Sequence, residues 1–450
     1  MDDARLASWL LEHEARALLT RLDRVLPFAL QVPMVPAAAV LPRAAAAIEG
    51  YLADGRRQLR SRVLEFIGWI RGPGRAVDPA QMQHRFTLLR LRFNVTLTQL
   101  ELFAEALSQR SEMETGVWLS GLDLAAQDAL RLQGDFYHAP PVICYVHREL
   151  GGAIRRAHTR LPGGGENPVS IIRIPRERMI GYGIASSLVH ETGHQAAALL
   201  GLVASVRAEL RAEAAGAPAG QRWAWRLFER WISEIIADFW AVAKVGMAST
   251  LGLMGIVSLP RAFVFRMSTD DPHPFPWFRV KLSCAIGDAL YPDPQWRQAA
   301  ALWARLYPPS GLAPRQVQVI DLLERMTEPF VALLAGHRPA SLRGRPLGEA
   351  VSIPSRAPQR LSGLYEQWRA RPGLMRDAAP TLVFAVFGQA RATGRLSPEE
   401  EDRMIGELIT WWAVQTTPNG AYLGRQSRAV AAGHRPSELI DVRSGEQSWK

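Results

Sequence analysis

The stretch LVHETGH, residues 188–194, contains two histidines four positions apart, with a glutamate directly after the first. The apolar pattern around it predicts a helix over about residues 179–200. Side chains four apart project from one helix face, so His190 and His194 can present imidazole nitrogens to one metal ion. Glu191 then lies beside them, where it can act on a metal-bound water. The spacing suits zinc, and the alternative is an ordinary solvated helix face, because so short a motif also arises by chance.

A second pair of polar residues falls on the next predicted helix, over about residues 221–247. In SEIIADFW, residues 233–240, Glu234 and Asp238 are again four apart on a helix crowded with tryptophan, isoleucine and phenylalanine. Buried carboxylates are costly unless a metal ion or hydrogen bonds compensate them. A catalytic zinc also needs a third protein ligand and an open fourth position. The alternative is an exposed, half-solvated acidic edge.

A third stretch, STDDPHPFPWFRVKL at residues 268–282, contains His273 and Arg279 around two prolines. Prolines stiffen a loop, which can aim a cation at negative charge that develops during a reaction. His273 or Arg279 is therefore a candidate for stabilising a tetrahedral oxyanion or for holding the substrate backbone. The alternative is a rigid proline loop that ends a core segment.

Together these three stretches resemble a known family. HETGH followed by E-x-x-A-D resembles the gluzincin zinc metallopeptidases, and the His-Pro-x4-Arg stretch is similar to that of the CAAX prenyl endopeptidases and their bacterial heat-shock relatives. The three elements occur in family order within about 90 residues. The resemblance implies that Glu234 is the third zinc ligand. It also implies that Asp238 holds a ligand histidine through its other ring nitrogen, which fixes the tautomer and orients the ring.

The rest of the chain is predicted to be mostly helical. Residues 1–135 form an N-terminal helical region, residues 136–300 a metallopeptidase core, and residues 301–450 a C-terminal helical region. The last thirty or so residues lack periodicity and are predicted to be partly disordered. Helix starts are predicted at Asp78-Pro79 and at Ser397-Pro398, where a capping side chain precedes a proline.

Short β-branched runs in PPVICYV and NPVSIIRIP predict a small sheet just before the first motif. The expected fold is α+β and predominantly α-helical, with a zincin-like core that contains a small β-sheet and an active-site helix, flanked by helical regions. The strand near residues 171–174 is a candidate edge to which an extended peptide substrate adds as another strand.

The composition of the chain indicates which partners and which cellular compartment to expect. The net charge of +10 comes almost wholly from arginine, since lysine occurs only at positions 244, 281 and 450. These arginines are scattered along the chain, so we expect no nucleic-acid partner.

Two cysteines, Cys144 and Cys284, exclude a multi-cysteine zinc site. The sequence has no 18-residue apolar run and an acidic start, so we expect a cytoplasmic protein without a membrane span.

The predicted function is therefore that of a zinc-dependent metallopeptidase acting on a peptide or protein substrate, with Glu191 as general base. The lack of a G-x-M-E-N type amine-recognition motif favours an endopeptidase. Three alternatives remain: a zinc-binding interaction protein without turnover, an arginine-rich nucleic-acid-binding helical protein, and a non-peptidase amide hydrolase. The sequence does not indicate an oligomeric state.

Overall fold

The computed structural model describes residues 3–25, 32, 34–147, 152–161, 165–175, 181–268 and 270–417. This part of the chain is predominantly helical and includes a small three-stranded sheet, which confirms the expectation of a mainly α-helical α+β fold. Residues 418–450, where partial disorder was predicted, lie outside the described residues, as do residues 179 and 180 at the start of the first predicted helix.

The α-helices are labelled in chain order. Those before the sheet are α1 Asp3–Asp23, α2 Pro42–Arg71, α3 Pro79–Ser108 and α4 Met113–Ala129. The central helices are α5 Tyr182–Leu199, α6 Leu202–Gly216, α7 Ala219–Val245, α8 Met247–Val257, α9 Arg261–Val264, α10 Pro276–Leu290 and α11 Pro294–Leu306. The last ones are α12 Pro314–Gly336, α13 Leu347–Val351, α14 Pro358–Ala370, α15 Gly373–Arg376, α16 Pro380–Ala392 and α17 Pro398–Gln415. Short 3-10 turns occur at Pro36–Ala38, Pro73–Ala76, Gln109–Ser111, Ala340–Leu342 and Pro354–Arg356.

Two predicted helix starts are confirmed by their caps. The carboxylate of Asp78 accepts a hydrogen bond from the backbone N–H of Ala80 at 2.9 Å. At the start of α17, Ser397 Oγ accepts from the Glu400 N–H at 3.2 Å, and the Glu400 carboxylate accepts from the Ser397 N–H at 3.1 Å. These bonds satisfy first-turn donors that have no partner within the helix.

The sheet consists of β1 Val142–His147, β2 Ala153–Arg155 and β3 Ser170–Pro175, in the order β1-β3-β2. Strand β3 pairs in parallel with β1 and antiparallel with β2, so that Ile172 lies opposite both Cys144 and Ile154. The expectation that residues 171–174 form a free edge is therefore wrong. Residues 171–173 of β3 are paired on both sides, and among the described strands β1 and β2 form the edges.

Alternate residues of the sheet enter two separate cores, as the two-residue period of a strand requires. Cys144 and Ile172 belong to the large buried cluster that also contains residues of α4 and α5. Ile143 and Ile171 belong to a second cluster with residues of α2 and α3. Burial on both faces explains why β1 and β3 read as nearly continuous apolar runs. The sheet is therefore held between the N-terminal helices and the helix that carries the first motif.

The large cluster extends from Leu119 to Trp412 and draws on all three predicted regions. The helices α1 to α3 have a further core of their own, from Leu11 to Phe93. The division of the chain into separate folding units at residues 135 and 300 remains a prediction. Among the described residues, none of the helices combines the length and apolar character that crossing a membrane requires.

Candidate metal centre

Two packed helices bring together the three residues predicted to bind metal. His190 and His194 lie on α5, and Glu234 lies on α7. The His190 Nε2 is 3.3 Å from one carboxylate oxygen of Glu234, and the His194 Nε2 is 3.5 Å from the other oxygen. One donor atom from each residue lies within 4.8 Å of the other two. The carboxylate thus faces both imidazoles.

The close approach of these helices depends on Gly193, between the two histidines. A Cβ atom at this position would lie 2.9 Å from the Cα of Ala237, 3.0 Å from its carbonyl oxygen and 3.1 Å from the Cβ of Trp240. Real Cβ atoms essentially never come that close to backbone. The glycine in HETGH therefore allows α5 to lie directly against α7, which places the two imidazoles at the carboxylate of Glu234.

Asp238 orients the first histidine. Its Oδ1 accepts a hydrogen bond from His190 Nδ1 at 2.8 Å, so the other ring nitrogen, Nε2, is the one that faces Glu234. Burial by itself lowers the pKa of His190, but the charge and hydrogen bond of Asp238 outweigh it and raise the pKa to about 9. The arrangement matches the implied role of Asp238, because a carboxylate on the far nitrogen fixes the tautomer.

Arg279 also contacts Asp238. It lies in the first turn of α10, which begins at Pro276, and so belongs to a helix and not to the predicted loop. Its Nε and Nη2 donate to the two Asp238 oxygens at 2.7 and 2.9 Å. Burial raises the pKa of Asp238, but the charges of Arg279 and His190 outweigh this effect and hold the pKa well below its usual range.

His273 lies in the loop before α10 and reaches the same centre. Its Nε2 is 3.0 Å from a Glu234 oxygen, and its Nδ1 is 2.8 Å from Asp271 Oδ1. The Glu234 hydrogen bond is the largest influence on the pKa of His273 and raises it. Burial raises the pKa of Glu234, but the hydrogen bonds of three histidines outweigh it and keep the pKa far below its usual range. The His273 side chain is 44% exposed, compared with 15% for His190.

A cavity of about 340 Å³ opens beside these residues. Glu191 and His273 line it on the polar side, and Leu253 and Val257 of α8 line it on the apolar side. Glu191 is buried, and a Cβ atom on Gly152, directly before β2, would lie 2.7 Å from its Oε1. The carboxylate of Glu191 thus lies against the start of an edge strand, at the cavity that His190 also lines.

The donor set fits a zinc ion with one open position. Bonds of about 2.0–2.2 Å in a tetrahedral arrangement place neighbouring donors about 3.4 Å apart. The nitrogen–oxygen distances of 3.3 and 3.5 Å are close to that spacing, each to a different oxygen of Glu234, and one donor atom from each residue lies within 4.8 Å of the other two. Imidazole and carboxylate also bind other first-row divalent ions, so these donors form a candidate metal site and do not identify its metal.

Three residues of the site were not singled out from the sequence, namely Gly152, Gly193 and Asp271. Asp271 had a readable signal. An aspartate two positions before His273 can form a local side-chain turn, and its Oδ1 accepts from the His273 N–H at 2.9 Å. The two glycines matter through what they approach across the fold, which the sequence alone does not show.

Comparison with known proteins gives no match to this chain among family models, curated proteins or solved structures. The interpretation of the centre therefore depends on its own geometry and chemistry.

Proposed function

We propose that this protein is a zinc-dependent metallopeptidase with a zincin-like core of gluzincin type. The observation that carries the proposal is the convergence of His190, His194 and Glu234 beside a cavity that His190 and Glu191 line. A structural zinc site is normally closed by four protein ligands, whereas a catalytic one has three and an open position. Three clustered donors beside a cavity favour the catalytic type.

Each residue of the site has its own role in the proposed reaction. Zinc, when bound, would lower the pKa of a coordinated water and polarise the substrate carbonyl. Glu191 takes the proton of the attacking water and then delivers it to the departing amine. Asp238 and Arg279 keep His190 in the ring orientation that offers Nε2. His273 is half-exposed at the cavity, and we assign it to the developing oxyanion or to the substrate backbone.

An extended peptide is the substrate shape that suits this site. Strand β2 is an edge of the described sheet, and it begins next to Glu191. A peptide that adds to β2 as a further strand would carry its backbone carbonyls past the general base. This assigns to β2 the role first predicted for residues 171–174.

A zinc-binding protein without turnover is the main alternative. Such a protein has no need of a carboxylate beside the ligands, yet Glu191 is buried at the cavity and Gly152 leaves room for it. A buried carboxylate is costly to keep without a use. This observation favours the peptidase.

The decisive experiment is Glu191→Gln in the full chain. We expect the wild type to contain close to one zinc ion per chain by elemental analysis and to cleave members of a mixed peptide library. Glutamine is nearly isosteric and position 191 is not a ligand, so metal content and melting temperature should be unchanged. Cleavage should fall by at least roughly 100-fold, the range that a general base supplies.

Glu234→Ala is the matched control, because it removes a ligand instead of the base and should remove most of the zinc. If Glu191→Gln cleaves at the wild-type rate, the peptidase mechanism is wrong even with zinc bound. A wild type without zinc would refute the metal site itself.

A further inference from the structure

The helix that carries His190 and His194 begins without a capping side chain of its own, as do several other helices of the described chain. Gly181, at the N-cap of α5, has φ +52° and offers no side chain to the first turn. By contrast, the side chains of Asp78, Asp293 and Ser397 cap the helices that follow them. The first backbone N–H groups of a helix have no acceptor within it and need one from elsewhere. At α5 that acceptor can be water or another part of the chain.

Glu401 of α17, more than 200 positions further along the sequence, lies next to this first turn. Its carboxylate lies against the backbone at the start of α5, near the N–H of Tyr182. The contact is close, because a Cβ atom at position 181 would lie 2.8 Å from Glu401 Oε2. Gly181 thus serves two needs at once, a positive φ and room for this carboxylate. A negative charge at a helix N-terminus is also favourable to the helix dipole.

Arg391 of α16 completes the contact. Its Nε lies 3.2 Å from Glu401 Oε2, and its guanidinium lies over the Tyr182 ring, 5.7 Å from the centroid. The Glu401 side chain is only 3% exposed. Burial raises the pKa of Glu401 to about 7, although Arg391 and the Tyr182 N–H act in the opposite direction. An apolar side chain here would avoid the cost of burying this charge, so the carboxylate has a role that packing does not fill.

We propose that Glu401 is a positioning residue for the metal centre: it fixes the first turn of α5, and through that helix it holds His190 and His194 in register with Glu234. Helix α16, which packs on α5 and α7, and helix α17 then form part of the catalytic unit. This inference rests on the metal site of the proposed function.

The test measures metal binding by the full-length protein, with no substrate needed. Zinc affinity would be determined by competition with a chelator, and ligand geometry by the visible absorption bands of the Co²⁺-substituted protein. For Glu401→Ala we expect zinc affinity to fall roughly five-fold, which corresponds to the about 1 kcal/mol typical of a lost N-cap, together with altered Co²⁺ bands. Glu401→Gln keeps a side-chain oxygen near the start of α5 and should stay close to the wild type.

Ile405→Ala is the matched control, because Ile405 is buried one turn further along α17 and its truncation destabilises the helix without removing the carboxylate. It should lower the melting temperature and leave zinc affinity and the Co²⁺ bands unchanged. Unchanged affinity in Glu401→Ala would overturn the inference, as would an equal loss in Ile405→Ala. A wild type without metal affinity would refute the proposed function instead, so the two failures are distinguishable.

Discussion

At the residue scale, Asp238 connects His190 to Arg279. It accepts from His190 Nδ1 on one oxygen, and both of its oxygens accept from Arg279. Breaking a buried ion pair by removing one partner is strongly destabilising, because the other charge is left uncompensated. The geometry therefore favours an indirect role for Arg279, in which it holds Asp238 and, through it, the ring of His190.

Arg279→Ala tests that role. We expect zinc affinity to fall by roughly 10- to 100-fold, as happens when the partner that orients a metal ligand is lost, and the melting temperature to fall with it. Chelator competition and thermal melts on the same samples measure both quantities. Arg297→Ala is the control, since that arginine pairs with Asp288 at an exposed position and should change neither. Normal zinc content with lost turnover would instead assign Arg279 to the developing oxyanion.

At the element scale, the distance between α5 and α7 determines whether the donors can share an ion. Gly193 is the contact that sets this distance, because only a residue without a Cβ atom fits against Ala237. The sequence pattern HETGH alone predicts which residues are ligands, but not that its glycine faces the neighbouring helix. The requirement becomes visible only when the two helices are seen together.

Gly193→Ala should therefore separate the helices. We expect a loss of about 1–3 kcal/mol in the free energy of unfolding, typical of an overpacked core, and weaker zinc binding. Denaturant unfolding and chelator competition provide the two measurements. Gly363→Ala in α14 is the control, since nothing lies within 4 Å of its added methyl group, and alanine there should stabilise the helix by up to about 1 kcal/mol. Equal zinc affinity in Gly193→Ala and the wild type would contradict the packing argument.

The difference between local sequence patterns and contacts across the fold explains how much of the molecule the sequence can predict. Local signals sufficed for the caps at Asp78 and Ser397 and for the histidine and carboxylate spacings, because they depend on neighbours within about one helical turn. The edge assignment for residues 171–174 failed, because strand order depends on which distant segments pair. The contact of Glu401 with the start of α5 was likewise not predictable, since no local sequence pattern connects Glu401 to Gly181.

At the scale of the whole molecule, the core around α5 and α7 contains residues from both sides of the predicted boundaries at residues 135 and 300. Phe228 of α7 stacks on Phe330 of α12, with ring centroids 4.0 Å apart and planes at 11°. Both belong to the cluster that runs from Leu119 to Trp412. A segment cut at residues 136 and 300 would lose the partners of α7 on α12 and α16 and expose apolar surface to water.

We accordingly expect an isolated fragment of residues 136–300 to lack a cooperative unfolding transition and to bind zinc far more weakly than the full chain. Each large buried side chain left uncovered loses roughly 1.5–3 kcal/mol, and a few such losses match the whole stability of a typical domain. Circular dichroism melts and chelator competition would compare this fragment with a chain of residues 1–417, which retains every described element and should behave like the full protein. Cooperative melting of the short fragment with full zinc affinity would instead establish residues 136–300 as an independent domain.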